Sequence, residues 1–171
     1  DALRRHKSVL LLGPRQTGKT TLLERLKADG MISFIRPDIR QRYEKNPSLL
    51  IGEVEALQEK KGSRVLMLLD EVQKVPDILD AVQDLIDRQL ADFVITGSSA
   101  RKLRRAETVN LLPGRLVTLR LDPLTLREYP QRSLTDLLLY GSLPGMIQVK
   151  ELKDREQDLE SYAVAYLEEE I

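Results

Sequence analysis

The octapeptide Gly13-Pro14-Arg15-Gln16-Thr17-Gly18-Lys19-Thr20 has the residue types and spacing of a loop that wraps a phosphate. Glycine lets the main chain approach an anion closely, so that successive backbone N–H groups and the N-terminus of the next helix point at it. Lys19 would bridge β- and γ-phosphate oxygens, Thr20 would coordinate Mg²⁺ through its hydroxyl, and Thr21 would add a contact at the α-phosphate. A capped helix after a tight turn is the bland alternative, but such a turn has no need of Gly-Lys-Thr.

Asp70-Glu71 offers the second piece of chemistry. The apolar run Val65-Leu66-Met67-Leu68-Leu69 leads into these two carboxylates and would deliver them to the C-terminal edge of a sheet, where ligands of open α/β sheets bind. Asp70 would hold Mg²⁺ through its water shell, and Glu71 would act as general base on an attacking water. An acidic turn after a core strand is the other reading of the pair taken in isolation. A third run, Phe93-Val94-Ile95-Thr96-Gly97-Ser98-Ser99, ends in small polar residues. Thr96 or Ser98 would reach the attacking water if this strand lay between the other two, whereas Ser-Ser is otherwise an ordinary helix cap.

Two sets of cations remain. Arg115, in Pro113-Gly114-Arg115, would approach the γ-phosphate in cis or from a neighbouring subunit, or would be a surface arginine. Arg101, Lys102, Arg104 and Arg105 form a basic cluster that would either touch nucleic acid or sit on a solvated helix face.

Positioning these groups takes alternating strands and helices. Short apolar runs predict five strands, at Ser8–Leu12, Met31–Ile35, Arg64–Leu69, Asp92–Thr96 and Arg115–Leu121, in a sheet buried on both faces. Helices are expected at Lys19–Ala28, closed by Gly30, at Pro47–Lys60, and from Pro76-Asp77 to about Leu90. The last of these would turn Ile78, Val82, Leu85, Ile86 and Leu90 to the sheet. Beyond Leu121, Pro123, Pro130, Gly141, Pro144 and Gly145 punctuate a small helical extension. Its final helix, from about Glu151, carries a stripe of Leu152, Leu159, Ala163, Tyr166 and Leu167.

The 171 residues suit one compact domain with an appendage, cut as a 1–121 core and a 122–171 extension. A hydrophobic fraction of 42% with 32% charged residues supports a real core and argues against disorder. Lys and Arg balance Asp and Glu at 27 each, so no global field draws the chain to nucleic acid or to an anionic membrane. Without cysteine there is no disulfide, zinc finger or thiol nucleophile, which fits a reducing, cytoplasmic setting, and the lone His6 builds no multi-histidine metal site. No apolar run nears the roughly 20 residues that span a bilayer, so no membrane partner is expected. The chain opens at Asp1 without a leader, and its last helical pattern stops at Ile171, so it reads as an excised segment.

With these residues in view the chain resembles the AAA-type ATPases, in the additional-strand, catalytic-glutamate division of P-loop NTPases. More narrowly, it is similar to prokaryotic ATPases that join such a domain to a C-terminal domain of poorly defined function. The segments carrying the likeness are 12–20, Leu69-Asp70-Glu71-Val72-Gln73-Lys74, Ile95–Ser99, Pro113-Gly114-Arg115, Leu121-Asp122-Pro123-Leu124 and Glu128. Gly141-Ser142-Leu143-Pro144-Gly145 resembles a Gly-Gly-x-Pro turn, with Ser142 departing from it. The resemblance implies a three-layer α/β sandwich whose mostly parallel, five-stranded sheet runs in the order 5-1-4-3-2. It also implies that Glu71 is the catalytic glutamate and that Arg115 completes a neighbour's site in a self-associated state.

The resulting expectation is Mg²⁺-dependent ATP hydrolysis that serves as a switch or motor for an attached C-terminal region. ATP is favoured over GTP because no Asn/Thr-Lys-x-Asp guanine signature is present. A nucleotide-dependent nucleic-acid-binding module is the alternative, and a small kinase ranks last because Glu71 and the polar strand end favour transfer to water.

Overall fold

A computed structural model describes residues 1–98, 112–130 and 133–170, with residues 169 and 170 described by their backbone alone. The chain forms two compact units. One comprises residues 1–12 and 20–120, and the other comprises residues 13–19 and 121–171. The glycine-rich loop, residues 13–19, falls in the second of these.

The first unit is a five-stranded sheet in which every pairing is parallel. Its strands are β1 (Ser8–Leu12), β2 (Gly30–Ser33), β3 (Val65–Asp70), β4 (Ala91–Gly97) and β5 (Leu116–Arg120), in the order β2-β3-β4-β1-β5. That is the expected order 5-1-4-3-2 read from the other edge. The central strands β3 and β4 are buried almost throughout, as their unbroken apolar runs require, whereas the edge strand β5 is half-buried to exposed.

Alternation along each strand divides the core between two faces. Val9, Leu68 and Val94 point to one face and pack with Leu23 of α1 (Lys19–Glu24). Leu10, Met67, Leu69, Phe93 and Ile95 point to the other, onto α2 (Pro37–Lys45), α3 (Leu49–Lys61) and α4 (Ile78–Asp87). On α4 the expected face is present: Ile78, Val82 and Leu85 are fully buried, with Ile86 and Leu90 partly buried against the same core.

Two helical expectations need correcting, and one helix was missed. α1 stops at Glu24 rather than Ala28, because the chain must already turn into β2. Asp29 Oδ2 fixes that turn by accepting from the Leu66 amide at 2.7 Å and from Lys61 Nζ at 2.7 Å. Gly30 is therefore the first residue of β2, not a left-handed helix cap, and a Cβ there would lie 2.8 Å from the Met67 side chain. α2 was not foreseen at all, since only its Tyr43 is fully buried, and with half-buried Ile39 it has just two core-facing positions, too few to mark a helical period.

The second unit contains the loop 13–19 and three helices, α5 (Leu134–Tyr140), α6 (Pro144–Gln148) and α7 (Leu152–Glu170). Ser133 caps α5 by accepting from the Asp136 amide at 3.1 Å. The stripe expected to anchor α7 does not do so: Leu152, Ala163 and Leu167 are exposed, with Leu159 and Tyr166 half-buried. The anchor is Arg155, buried, donating to the Val149 carbonyl at 2.5 Å with its guanidinium over the Tyr140 ring.

Candidate active site

Register explains how the chemistry collects in the sheet unit. Leu69 pairs with Ile95 and Ser33 with Asp70, so Ser33, Asp70 and Thr96 occupy one row across β2, β3 and β4. Neighbours in a row of a parallel sheet share a face, so two hydroxyls flank one carboxylate. Asp70, with no solvent exposure, accepts from Thr96 Oγ1 at 2.5 Å on Oδ1, and from Thr20 Oγ1 at 3.0 Å and Ser33 Oγ at 3.3 Å on Oδ2. Three hydroxyl donors meet the demand of a carboxylate removed from water.

The Thr96 hydroxyl donates to Asp70 and accepts from the Glu71 amide at 3.1 Å, and the residue is fully buried. Both of these hydrogen bonds run to the acidic pair.

Directly after Asp70 the chain enters the left-handed region at Glu71, with φ 60° and ψ 48°, an uncommon conformation for a residue with a side chain. A short 3-10 turn, Val72–Lys74, follows and is pinned by fully buried Val72. Gln73 on that turn donates through Nε2 to Glu71 Oε2 and, at 2.9 Å, to Ser98 Oγ. Glu71, Gln73 and Ser98 thus form one cluster beside the Asp70 row. Ser33 and Gln73 were not foreseen as site residues. Ser33 is identified by register, and Gln73 by its place two residues past Glu71 on a tight turn.

Within the other unit the loop 13–19 is tightly made. Lys19, 5% exposed, donates through Nζ to the Gly13 carbonyl at 2.9 Å and the Pro14 carbonyl at 2.7 Å. Thr17 Oγ1 also donates to Pro14 O, at 2.9 Å. Gln16 and Gly18 have positive φ, 62° and 93°. Gly13 is required for another reason: a Cβ on it would lie 2.1 Å from the Leu121 carbonyl oxygen. The Arg15 carbonyl accepts from the Tyr162 hydroxyl at 3.2 Å. Thr21, on α1 in the first unit, is exposed.

Arg115 is not brought to the acidic row. Register puts Asp70 level with Leu119, about 13 Å along the strands and about 14 Å across three strand spacings from Arg115. The approach in cis is thereby overturned. Arg115 forms a bidentate pair with Asp87 at the end of α4, at 2.7 and 2.8 Å. The guanidinium's hydrogen bonds hold the Asp87 carboxyl below its ordinary pKa. Ser99 and the basic cluster Arg101, Lys102, Arg104 and Arg105 lie outside the described residues.

A parallel sheet with an extra strand between the loop-bearing strand and the acidic strand, and a Gly-Lys-Thr loop leading into a helix, together define an AAA-type P-loop ATPase domain. The chain belongs to the AAA domain family, whose match covers residues 5–130. It is similar to "Uncharacterized protein Rv2008c" of Mycobacterium tuberculosis and "Uncharacterized protein Mb2031c" of Mycobacterium bovis, 30% identical to each over 99% of this chain. The chain spans 37% of the length of these relatives. Among solved structures, PCH-2 of C. elegans shares the fold, with a TM-score of 0.51 and 20% identity over 78% of this chain and 41% of that one. Among the described residues no helix is long and apolar enough to cross a membrane.

Proposed function

We propose that this domain binds ATP with Mg²⁺ and hydrolyses it, with Glu71 as general base. The observation that carries this reading is the row Ser33–Asp70–Thr96, with Thr20 on the same carboxylate and Glu71 turned out of the strand beside it. Asp70 and the hydroxyls of Thr20 and Ser33 are an all-oxygen, hard donor set, and among the described residues no group of three or more His, Cys, Asp or Glu gathers. Such a set fits Mg²⁺, which takes few protein ligands beside phosphate and water oxygens. When bound, Mg²⁺ neutralises charge on the β- and γ-phosphate oxygens.

The chain's own residues supply the rest. Lys19 exchanges its two loop carbonyls for phosphate oxygens, and the amides of Gly13, Arg15, Gln16, Thr17, Gly18, Lys19 and Thr20 offer an N–H cradle, Pro14 having none. Thr21 would serve the α-phosphate. Thr20 and Asp70 would hold the cation, with Asp70 oriented by Thr96. Glu71 takes a proton from water, and Ser98 holds the region where that water sits.

The test is a pair of variants of the full-length protein. Lys19→Ala should abolish binding of a fluorescent ATP analogue. Glu71→Gln should bind it as wild type does and lose turnover by roughly a hundredfold or more. Unchanged turnover in Glu71→Gln would refute the assignment.

Two further parts of the reading concern the whole protein. We propose that hydrolysis acts as a switch for the extension, residues 122–171, and for a C-terminal region such as the longer relatives have room for. Arg115, paired with Asp87 away from the acidic row, would serve the site of a second copy.

A further inference from the structure

Gln73 belongs to neither phosphate binding nor the acidic pair, yet its amide nitrogen ties the Glu71 carboxylate to Ser98, the residue that follows β4. We propose that Gln73 positions the attacking water: its amide nitrogen holds Glu71 against Ser98, and its amide oxygen accepts a hydrogen bond from the water that Glu71 polarises. This rests on the ATPase reading above.

The amide's orientation follows from its neighbours. Both Nε2 hydrogens are used, one on Glu71 Oε2 and one on Ser98 Oγ. The flipped amide would set its oxygen against the Glu71 carboxylate, acceptor facing acceptor. Oε1 is therefore left as the spare acceptor, and it is buried and without a partner among the described residues. Buried acceptors are rarely left so, because nothing offsets the loss of their hydration. A leucine would fill this space without that cost, so packing does not explain the glutamine.

The backbone beneath is fixed. Lys74 N donates to Glu71 O and Val75 N to Val72 O, both at 3.0 Å, with Val72 and Val75 buried. Glu71 and Gln73 thus leave one rigid turn, and the Glu71 amide is tied to Thr96.

The chemistry needs such an acceptor. As the water oxygen forms its bond to the γ-phosphorus, the bond from that phosphorus to the β–γ bridging oxygen breaks and ADP leaves with the electron pair. One water proton passes to the Glu71 carboxylate. The other stays on the oxygen that becomes part of inorganic phosphate, and until then it has to point somewhere. Gln73 Oε1 gives it a fixed partner, which holds a lone pair of the water toward phosphorus.

The experiment uses full-length protein with Mg²⁺ and ATP. Gln73→Leu should lower kcat about tenfold to a hundredfold, with KM and affinity for a fluorescent ATP analogue within about threefold of wild type. In a Glu71→Gln background the same substitution should cost nothing further, because the two act as a unit. Ser98→Ala should lower kcat more modestly and be non-additive with Gln73→Leu; should Gln73→Leu fail to fold, Ser98→Ala against Glu71→Gln carries the test. In nucleotide-free protein, the Gln73 side-chain amide resonance should shift in both Ser98→Ala and Glu71→Gln.

Turnover that depends on Glu71 but is within twofold of wild type in Gln73→Leu overturns the inference alone. Fully multiplicative losses, or an amide resonance indifferent to both neighbours, do the same. A wild-type protein with no turnover overturns the ATPase reading and this inference with it.

Discussion

At the scale of single residues, the two loop glycines have different physical duties, and the difference is measurable. Gly18 sits at φ 93° with open space around it, so Gly18→Ala meets backbone strain only, on the order of 1 kcal/mol. Gly13 meets the Leu121 carbonyl, an atom of the main chain that cannot swing aside. Gly13→Ala should therefore move the loop. Denaturant unfolding should show a loss of about 1–3 kcal/mol, and titration with a fluorescent ATP analogue a fall of tenfold or more in affinity. Equal stability losses in the two variants would contradict this. The sequence made the glycines legible as a phosphate-loop pattern but not the reason for Gly13, since Leu121 is remote in the chain and only packing brings it close. The same limit hid Ser33, whose importance is its row partner Asp70, and the commitment of the Thr96 hydroxyl to its neighbours. Lys19, Asp70 and Glu71 could be proposed from sequence because each stands in a run of consecutive residues with a recognisable pattern.

At the scale of elements, strands and α4 could be read because burial leaves a period in the sequence, and α2 could not because it has one fully buried residue. Tyr43 is that residue, so α2 hangs on it. Its ring packs edge-on to Phe34 at 5.6 Å, and its hydroxyl donates to Glu53 on α3. Burial, and then the hydrogen bond and charge of Glu53, push the Tyr43 hydroxyl well above the usual tyrosine value of 10.0. A group whose pKa is raised by folding stabilises the fold fully below its unfolded pKa, and that stability drains away as pH rises. Wild-type stability should thus be flat near neutrality and fall from about pH 10 upward. Tyr43→Phe should cost about 1 kcal/mol at pH 7 and show a shallower alkaline fall, measured by urea unfolding at several pH values. A parallel fall in both proteins would put the alkaline loss elsewhere. The expected α7 stripe failed for the converse reason: an apolar period names a helix, but which face is covered depends on neighbours, and Arg155 is the residue that is buried.

At the scale of the whole molecule, a fully parallel sheet has polarity, and that polarity separates two groups the sequence placed side by side as candidates. Strands β2, β3 and β4 deliver Ser33, Asp70 and Thr96 near one edge, while Arg115 enters β5 at the opposite edge. No rotamer closes a gap of about 13 Å along the strands with a further 14 Å across them. If Arg115 acts on a γ-phosphate, it acts on that of another copy, and Asp87 holds it until then. Four outcomes follow for full-length protein: specific ATPase activity should rise with protein concentration, and Arg115→Ala should abolish that rise while binding ATP normally. Asp87→Asn should leave nucleotide binding unchanged, since it touches only the waiting guanidinium. Mixing Arg115→Ala with Glu71→Gln, neither of which shows the concentration-dependent activity alone, should restore that activity at sites that pair an intact Glu71 with an intact Arg115 from the neighbour. Restoration is the decisive outcome, because an arginine that merely braces α4 against β5 would lower stability in its own chain and could not be complemented by another. Activity that is independent of concentration and untouched by Arg115→Ala would leave this residue a solvent-screened surface ion pair with Asp87.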